Sequence, residues 1–221
     1  MNKVKIRIDV VSDVVCPWCY IGKRRLEKAM VQLSPQFDFE VEYQPFELNP
    51  DMPKKGRNQK EYLSTKFGGA ERYHQITDNV TRIAAEEGLK VDFNRQNISP
   101  NTREAHRVIW LAKQEGKSIA VKEALMKAYF EDGIDLTSKE NLITIALKAG
   151  LDEKKVNSLL DSEDGLAEVL YAEQLNSQRG ISGVPFFIIN NQFGISGAQP
   201  TEVFVKALTQ IGTGVELKEN A

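Results

Sequence analysis

The chain contains 221 residues, with 31 acidic and 29 basic side chains and a formal net charge of −2. This balance offers no basic excess for a nucleic-acid partner. No stretch approaches the ~18 consecutive apolar residues of a membrane span, and the N-terminus lacks the uninterrupted apolar segment of a signal peptide. We therefore expect a globular protein in the cytoplasm, with no membrane partner, and the sequence sets no oligomeric state.

The first predicted element is a β-strand from residue 4 to residue 11, where apolar and charged side chains alternate. Apolar residues at helical spacing then predict a helix that begins at Pro17, since proline suits a first helical position. The only two cysteines of the chain lie at this junction, in the sequence Cys16-Pro17-Trp18-Cys19. Cys16 is therefore predicted to cap the helix, with Cys19 one turn inside it.

Two cysteines at this spacing indicate thiol–disulfide chemistry. We expect the sulfur of Cys16 to accept hydrogen bonds from the N–H groups of Trp18 and Cys19 and to feel the helix dipole, which favours the thiolate. Cys19, further from solvent, suits a thiol that resolves a mixed disulfide. The alternatives are half of a zinc site or two inert core cysteines. Zinc needs further ligands at short spacing, and His74 and His106 are far apart, so we expect no metal and assign neither histidine a role.

Charged residues flank the cysteine pair on both sides. Lys23, Arg24 and Arg25 follow it, and their pattern is typical of the solvated face of a helix. The alternative is that they help to hold the first cysteine as thiolate. Asp9 and Asp13 precede the pair. Either aspartate could relay protons for the second cysteine, or Asp9 could be a surface residue and Asp13 an ordinary loop residue.

The middle of the chain is predicted to be helical. A second alternating strand runs from residue 37 to residue 43, and helical patterns then continue for more than a hundred residues, interrupted by glycines. One helix is predicted to begin at Ser99-Pro100. Another is predicted to pack these side chains into the core: Leu166, Val169, Leu170 and Leu175.

The C-terminal segment contains Gly183-Val184-Pro185, followed by an apolar run from residue 186 to residue 189. A proline cannot donate to a sheet ladder, so at the start of a strand it marks either a sheet edge or a special backbone geometry. A trans bond is commoner for proline, but the presence of the C-x-x-C pair in the same chain leads us to expect a cis peptide bond. Asn190-Asn191 is predicted to form a hairpin turn. Pro200 is predicted to open a last helix that turns these side chains inward: Val203, Phe204, Ala207, Leu208 and Ile211.

These motifs together resemble the DsbA family of the thioredoxin superfamily. The stretch DVVCPWCYIGK from Asp13 to Lys23, with SGVPFFIIN and SGAQ, is similar to its FrnE-like branch. The resemblance implies an α/β, thioredoxin-like fold with a large all-helical domain inserted between the β-α-β half and the C-terminal β-hairpin-helix half. The expected segments are residues 1–51 and 179–221 for the thioredoxin-like domain and residues 52–178 for the helical insertion with its connecting helix.

The resemblance also implies the roles of the site residues. Cys16 would be the nucleophile, Cys19 the resolving thiol, and Pro185 a cis-proline packed beside them. Val184 would offer its backbone to an extended peptide. Pro17 and Trp18 are also expected in the substrate-binding surface, and the alternative for Trp18 is that it shields the disulfide from solvent. The expected partners are protein or peptide thiols and disulfides and a redox partner that resets the cysteines. No cofactor is expected beyond the cysteine pair, although glutathione stays open as a cosubstrate.

One departure from the family pattern affects the expected activity. Periplasmic members place a histidine between the cysteines, whereas this chain has Pro17-Trp18. Loss of that cation predicts a less oxidising couple, and thus a reductase or isomerase. Kappa-class glutathione transferases and hydroxychromene carboxylate isomerases share the fold but use a serine where Cys16 stands. They, and a peptide-binding chaperone, are the alternatives, and neither would require Cys19.

Overall fold

The computed structural model describes residues 3–214. Residues 1–2 and 215–221, the outer ends of the two expected thioredoxin-like segments, lie outside the described residues. In chain order the strands and helices are β1 Val4–Ser12, α1 Pro17–Leu33, β2 Phe37–Pro45, β3 Arg57–Asn58, α2 Gln59–Phe67, α3 Ala70–Glu86, β4 Ile98–Ser99, α4 Arg103–Gln114, α5 Ser118–Phe130, α6 Lys139–Lys148, α7 Glu153–Leu160, α8 Leu166–Gln178, β5 Phe186–Ile189, β6 Phe193–Ser196 and α9 Thr201–Thr213.

The main sheet has four strands in the order β2-β1-β5-β6. β1 and β2 run parallel, with Val4 opposite Phe37, so α1 forms the crossover of a β-α-β unit. β5 runs antiparallel to β1, and β6 antiparallel to β5. Residues 190–192 connect β5 to β6, and Asn190 and Asn191 have φ angles of 49° and 57°. Asparagine tolerates such positive φ values, and the predicted hairpin is confirmed.

The first helix of the unit packs closely on the start of β5. α1 also contacts α9. Phe204 of α9 packs edge-on against Phe187 of β5, with ring centroids 4.8 Å apart. A Cβ atom on Gly22 would lie 3.2 Å from both Pro185 and Phe187. The missing side chain at Gly22 thus lets the first turns of α1 lie against Pro185.

Helices α2 to α8 occupy the chain between β2 and β5, and α5 and α8 contact β2. This arrangement confirms the predicted fold class, an α/β core with a helical region inserted between its β-α-β and hairpin-helix halves. Among the described residues 3–214, no helix combines the length and apolarity that crossing a membrane requires.

The helix predicted at Ser99-Pro100 begins later. α4 starts at Arg103, with Thr102 as its N-cap. Ser99 instead pairs with Arg57 in the short ladder of β3 and β4. The start predicted from sequence is wrong because this long-range pairing takes Ser99 into extended backbone.

Two apolar residues predicted to face the core are exposed. Leu170 on α8 is 42% exposed and Val203 on α9 is 41% exposed. The buried positions of α8 are Val169, as predicted, and Asn176.

The basic triplet after the cysteines is not a solvated helix face. The Lys23 side chain is 3% exposed, and its Nζ lies 2.6 Å from Oε2 of Glu123 on α5. Arg24 also pairs with Glu123, and Arg25 Nε lies 2.6 Å from Oε1 of Glu87, just after α3. The prediction is wrong because the inserted helices cover this side of α1 and supply carboxylates to it.

Candidate active site

The cysteine pair lies where the central strand of the sheet leads into α1. Cys16 is the N-cap of α1, with extended backbone angles, and Pro17 occupies the first helical position, as predicted. The N–H groups of Cys19 and Tyr20 bond to the carbonyl of Cys16 at 3.0 and 3.3 Å. Both cysteines are free thiols and both are buried.

The sulfur of Cys16 does not cap the helix with its side chain. It forms no hydrogen bond with the first N–H groups of α1. The thiol instead donates to the backbone carbonyl of Val184, with Sγ and O 3.6 Å apart. The predicted hydrogen bonds from Trp18 and Cys19 to this sulfur are therefore wrong, because the sulfur lies against the Val184 carbonyl instead.

The other predicted substrate-binding residues surround Cys16. Pro17, Trp18 and Val184 are partly exposed, whereas Pro185 is buried. The Val184–Pro185 peptide bond is cis. Among residues 3–214, no acceptor is bonded to the backbone N–H of Val184. The structure therefore brings all six predicted site residues together at the start of α1.

The second cysteine is buried as deeply as the first, which is 4% exposed. Cys19 is 3% exposed. Burial raises the pKa of the Cys19 thiol well above its ordinary value, and the hydrogen bond and charge of Cys16 raise it further. The charge of Lys122 lowers the pKa of Cys19. The Cys19 thiol therefore needs help to lose its proton.

Sequence reasoning missed Lys122 on α5. This side chain is 1% exposed, and its Nζ donates to the carbonyl of Ser12, 3.3 Å away, at the end of β1. The Nζ also lies 5.6 Å from the ring centroid of Tyr43. Burial lowers the pKa of Lys122 to about 8, against the opposing effects of Cys19, Asp13 and Cys16.

The two aspartates before the pair have structural partners. Asp9 is bonded by Arg7 at 2.9 Å and by Gln44 at 3.1 Å. Asp13 accepts the N–H of Leu48 at 2.8 Å, and its other oxygen lies 3.3 Å from Nε2 of His106.

Both His106 and Asp13 are buried, and their contact links α4 to the loop that carries the cysteines. Burial would raise the pKa of Asp13, but the hydrogen bond and charge of His106 hold it below its usual value. His74 is exposed. In residues 3–214 no group of three or more His, Cys, Asp or Glu side chains is placed to hold a metal ion.

A C-x-x-C pair at the first helix of this sheet defines the class of thioredoxin-like proteins with a redox motif. A family model for the DSBA-like thioredoxin domain matches residues 7–209, and the chain belongs to this family. A crystal structure from Streptomyces coelicolor, described as a probable DsbA oxidoreductase, is 34% identical, with a TM-score of 0.89 over 98% of this chain and 93% of that one. The protein is therefore a member of a family of thiol–disulfide oxidoreductases. The FrnE-like branch stays a prediction.

Two more distant structures share the fold. The cytosolic disulfide reductase DsbM from Pseudomonas aeruginosa, solved with GSH, is 15% identical, with a TM-score of 0.64 over 93% of this chain and 98% of that one. A 2-hydroxychromene-2-carboxylate isomerase is also 15% identical, with a TM-score of 0.69 over 96% of this chain and all of the other. At these identities the likeness concerns the fold alone.

Proposed function

We propose that this protein exchanges disulfides with protein or peptide substrates in the cytoplasm, as a reductase or isomerase. The observation that carries the proposal is the asymmetry of the two thiols. Cys16 caps α1 beside the partly exposed Trp18 and Val184, whereas Cys19 lies behind it with a raised pKa. The first cysteine is thus placed to meet a substrate and the second to act on it.

The proposed reaction has two steps. The Cys16 thiolate attacks a substrate disulfide, forms a mixed disulfide and releases one substrate thiol. Cys19 then loses its proton and attacks the sulfur of Cys16, which forms the Cys16–Cys19 disulfide and releases the second substrate thiol. The substrate gains two electrons and the enzyme loses two. A partner thiol must reduce the enzyme again, and glutathione is one candidate of suitable chemistry.

The backbone of Val184 supports the binding of an extended peptide beside Cys16. Its carbonyl already accepts from the Cys16 thiol, and its N–H has no acceptor within residues 3–214. A peptide strand could pair with both groups and place its cysteine against Cys16. Pro17 and Trp18 would form the adjoining apolar surface.

Reduction of insulin by dithiothreitol tests the proposal. We expect the protein to accelerate it and Cys16→Ser to abolish the effect. In Cys19→Ala, the mixed disulfide should persist and be recovered as a covalent adduct through Cys16. Wild-type turnover equal to that of Cys16→Ser would refute the proposal.

Glutathione-dependent isomerisation is the alternative with the same fold. That chemistry needs no second thiol, so Cys19→Ser would retain it, whereas our proposal predicts loss of turnover. A peptide-binding chaperone would keep its ability to suppress aggregation when both cysteines are replaced by serine. These variants therefore separate the three functions.

A further inference from the structure

Within residues 3–214, no counterion contacts Lys122, the buried lysine near the cysteine pair. Lys122 is 1% exposed, and the hydrogen bond found for its Nζ within residues 3–214 is the one to Ser12. An ammonium group has three N–H donors, so this leaves the group poorly satisfied. A buried charge in this state is costly, which marks the position as a candidate for chemistry rather than for stability.

The charged and titratable groups around Lys122 come from several elements. Cys19 of α1 exerts the strongest attraction, followed by Asp13 and Cys16, whereas Lys23 of α1 repels it. The ring of Tyr43 on β2 covers it, and burial keeps the pKa of this tyrosine above its usual value. In return, the charge of Lys122 lowers the pKa of both Cys19 and Asp13.

A cavity leads from Lys122 to the surface. It has a volume of about 250 Å³ and lies between β2, α4, α5 and α8. Buried Lys122 and His106 line one part of it, and exposed Glu168 and Lys113 line another. A water molecule occupies about 30 Å³ in the liquid, so the cavity can hold several waters in a chain.

We propose that Lys122 takes the proton of the Cys19 thiol during resolution of the mixed disulfide and passes it to solvent through this cavity. This inference rests on the proposed function. The neutral amine accepts the proton, and the resulting ammonium stabilises the Cys19 thiolate. The thiolate attacks Cys16, the bond between Cys16 and the substrate breaks, and the substrate leaves as a thiolate. The ammonium then releases its proton to water in the cavity.

The two aspartates that precede the motif are less suited to this step. Asp9 is engaged by Arg7 and Gln44. Asp13 is engaged by a backbone N–H and by His106, and its lowered pKa makes it a weak base. Lys122 is a buried basic group whose charge acts on Cys19, and within residues 3–214 its Nζ has one hydrogen bond, to Ser12.

One equivalent of Ellman's reagent added to the reduced protein tests the step. Cys16 releases a first coloured thiolate, and Cys19 releases a second when it resolves the adduct. In Lys122→Met we expect the second phase at neutral pH to slow about tenfold, the effect of one pH unit on the Cys19 thiolate population, with little change in the first. Lys148→Met, which removes an exposed lysine of α6, should leave both phases unchanged.

The pH profile of the wild type supplies a measurement that needs no variant. The rate of its second phase should rise with pH and level off near pH 8, where Lys122 becomes neutral. An unchanged second phase in folded Lys122→Met, or a wild-type profile that rises without a plateau, would overturn the role of Lys122. A wild type that releases only one thiolate would instead overturn the proposed function.

Discussion

Replacement of Lys122 by methionine should change how protein stability depends on pH. Burial lowers the pKa of Lys122 from 10.5 to about 8. The unfolded chain therefore binds more protons than the folded chain between these two values, and wild-type stability rises with pH across that window. The shift corresponds to about 3 kcal/mol of unfolding free energy, lost below pH 8 and regained by pH 10.5.

The variant also loses a hydrogen bond whose contribution to stability does not depend on pH. The hydrogen bond from Lys122 to the Ser12 carbonyl contributes about 1 kcal/mol. Lys122→Met should thus be more stable than the wild type by about 2 kcal/mol at neutral pH and less stable by about 1 kcal/mol at the alkaline end of the window.

Urea unfolding of both reduced proteins at a series of pH values measures this difference. Lys148→Met is the matched control, because it removes a lysine that is exposed and should change stability equally at every pH. A constant difference between Lys122→Met and the wild type would refute the reasoning, since it would mean that Lys122 keeps its proton equally in both states.

Three further changes have defined outcomes. Trp18→His should stabilise the reduced form through a cation or donor beside Cys16, so the reduction potential measured against glutathione should become more oxidising. An unchanged potential would contradict this. Burial, together with the charge of Glu47, raises the pKa of Glu173 to about 8. Wild-type stability should therefore fall as pH rises from 4.5 to 8. In denaturant titrations Glu173→Gln should lack this fall. Glu123→Gln should destabilise the protein by about 1 to 3 kcal/mol in the same assay, because it weakens the ion pair of buried Lys23. An effect below about 0.5 kcal/mol would show that Glu27 alone suffices as the partner of Lys23.

The short-range features of the site could be predicted from the sequence. The alternation of β1, the proline at the first helical position and the spacing of Cys16 and Cys19 are local signals, and the structure confirms the helix start they predict. The Asn190-Asn191 turn is local in the same way. The direction of the Cys16 thiol is not local, because its acceptor, Val184, is 168 residues away.

Lys122 was missed for a different reason. It stands three, four and seven residues before Leu125, Met126 and Tyr129, which are all buried. These positions share one helix face, so the periodicity did contain the signal. A lysine on an apolar face is ordinarily assigned to the rim of the core, because its charge is costly to bury. Only the contact between α5 and the end of β1 shows that the whole side chain lies inside.

Two adjacent residues of α5 interact with the first turns of α1 in different ways. Lys122 is buried in the core and its charge lowers the pKa of Cys19, whereas the carboxylate of Glu123 pairs with Lys23 and Arg24 on the covered side of α1. Since consecutive helical residues point about 100° apart, one helix can supply both contacts. The inserted helices therefore do more than cover the sheet. They fix the position of the helix that Cys16 caps, and they supply the base that our inference assigns to Cys19. The active site therefore includes residues of both the thioredoxin-like core and the inserted helices.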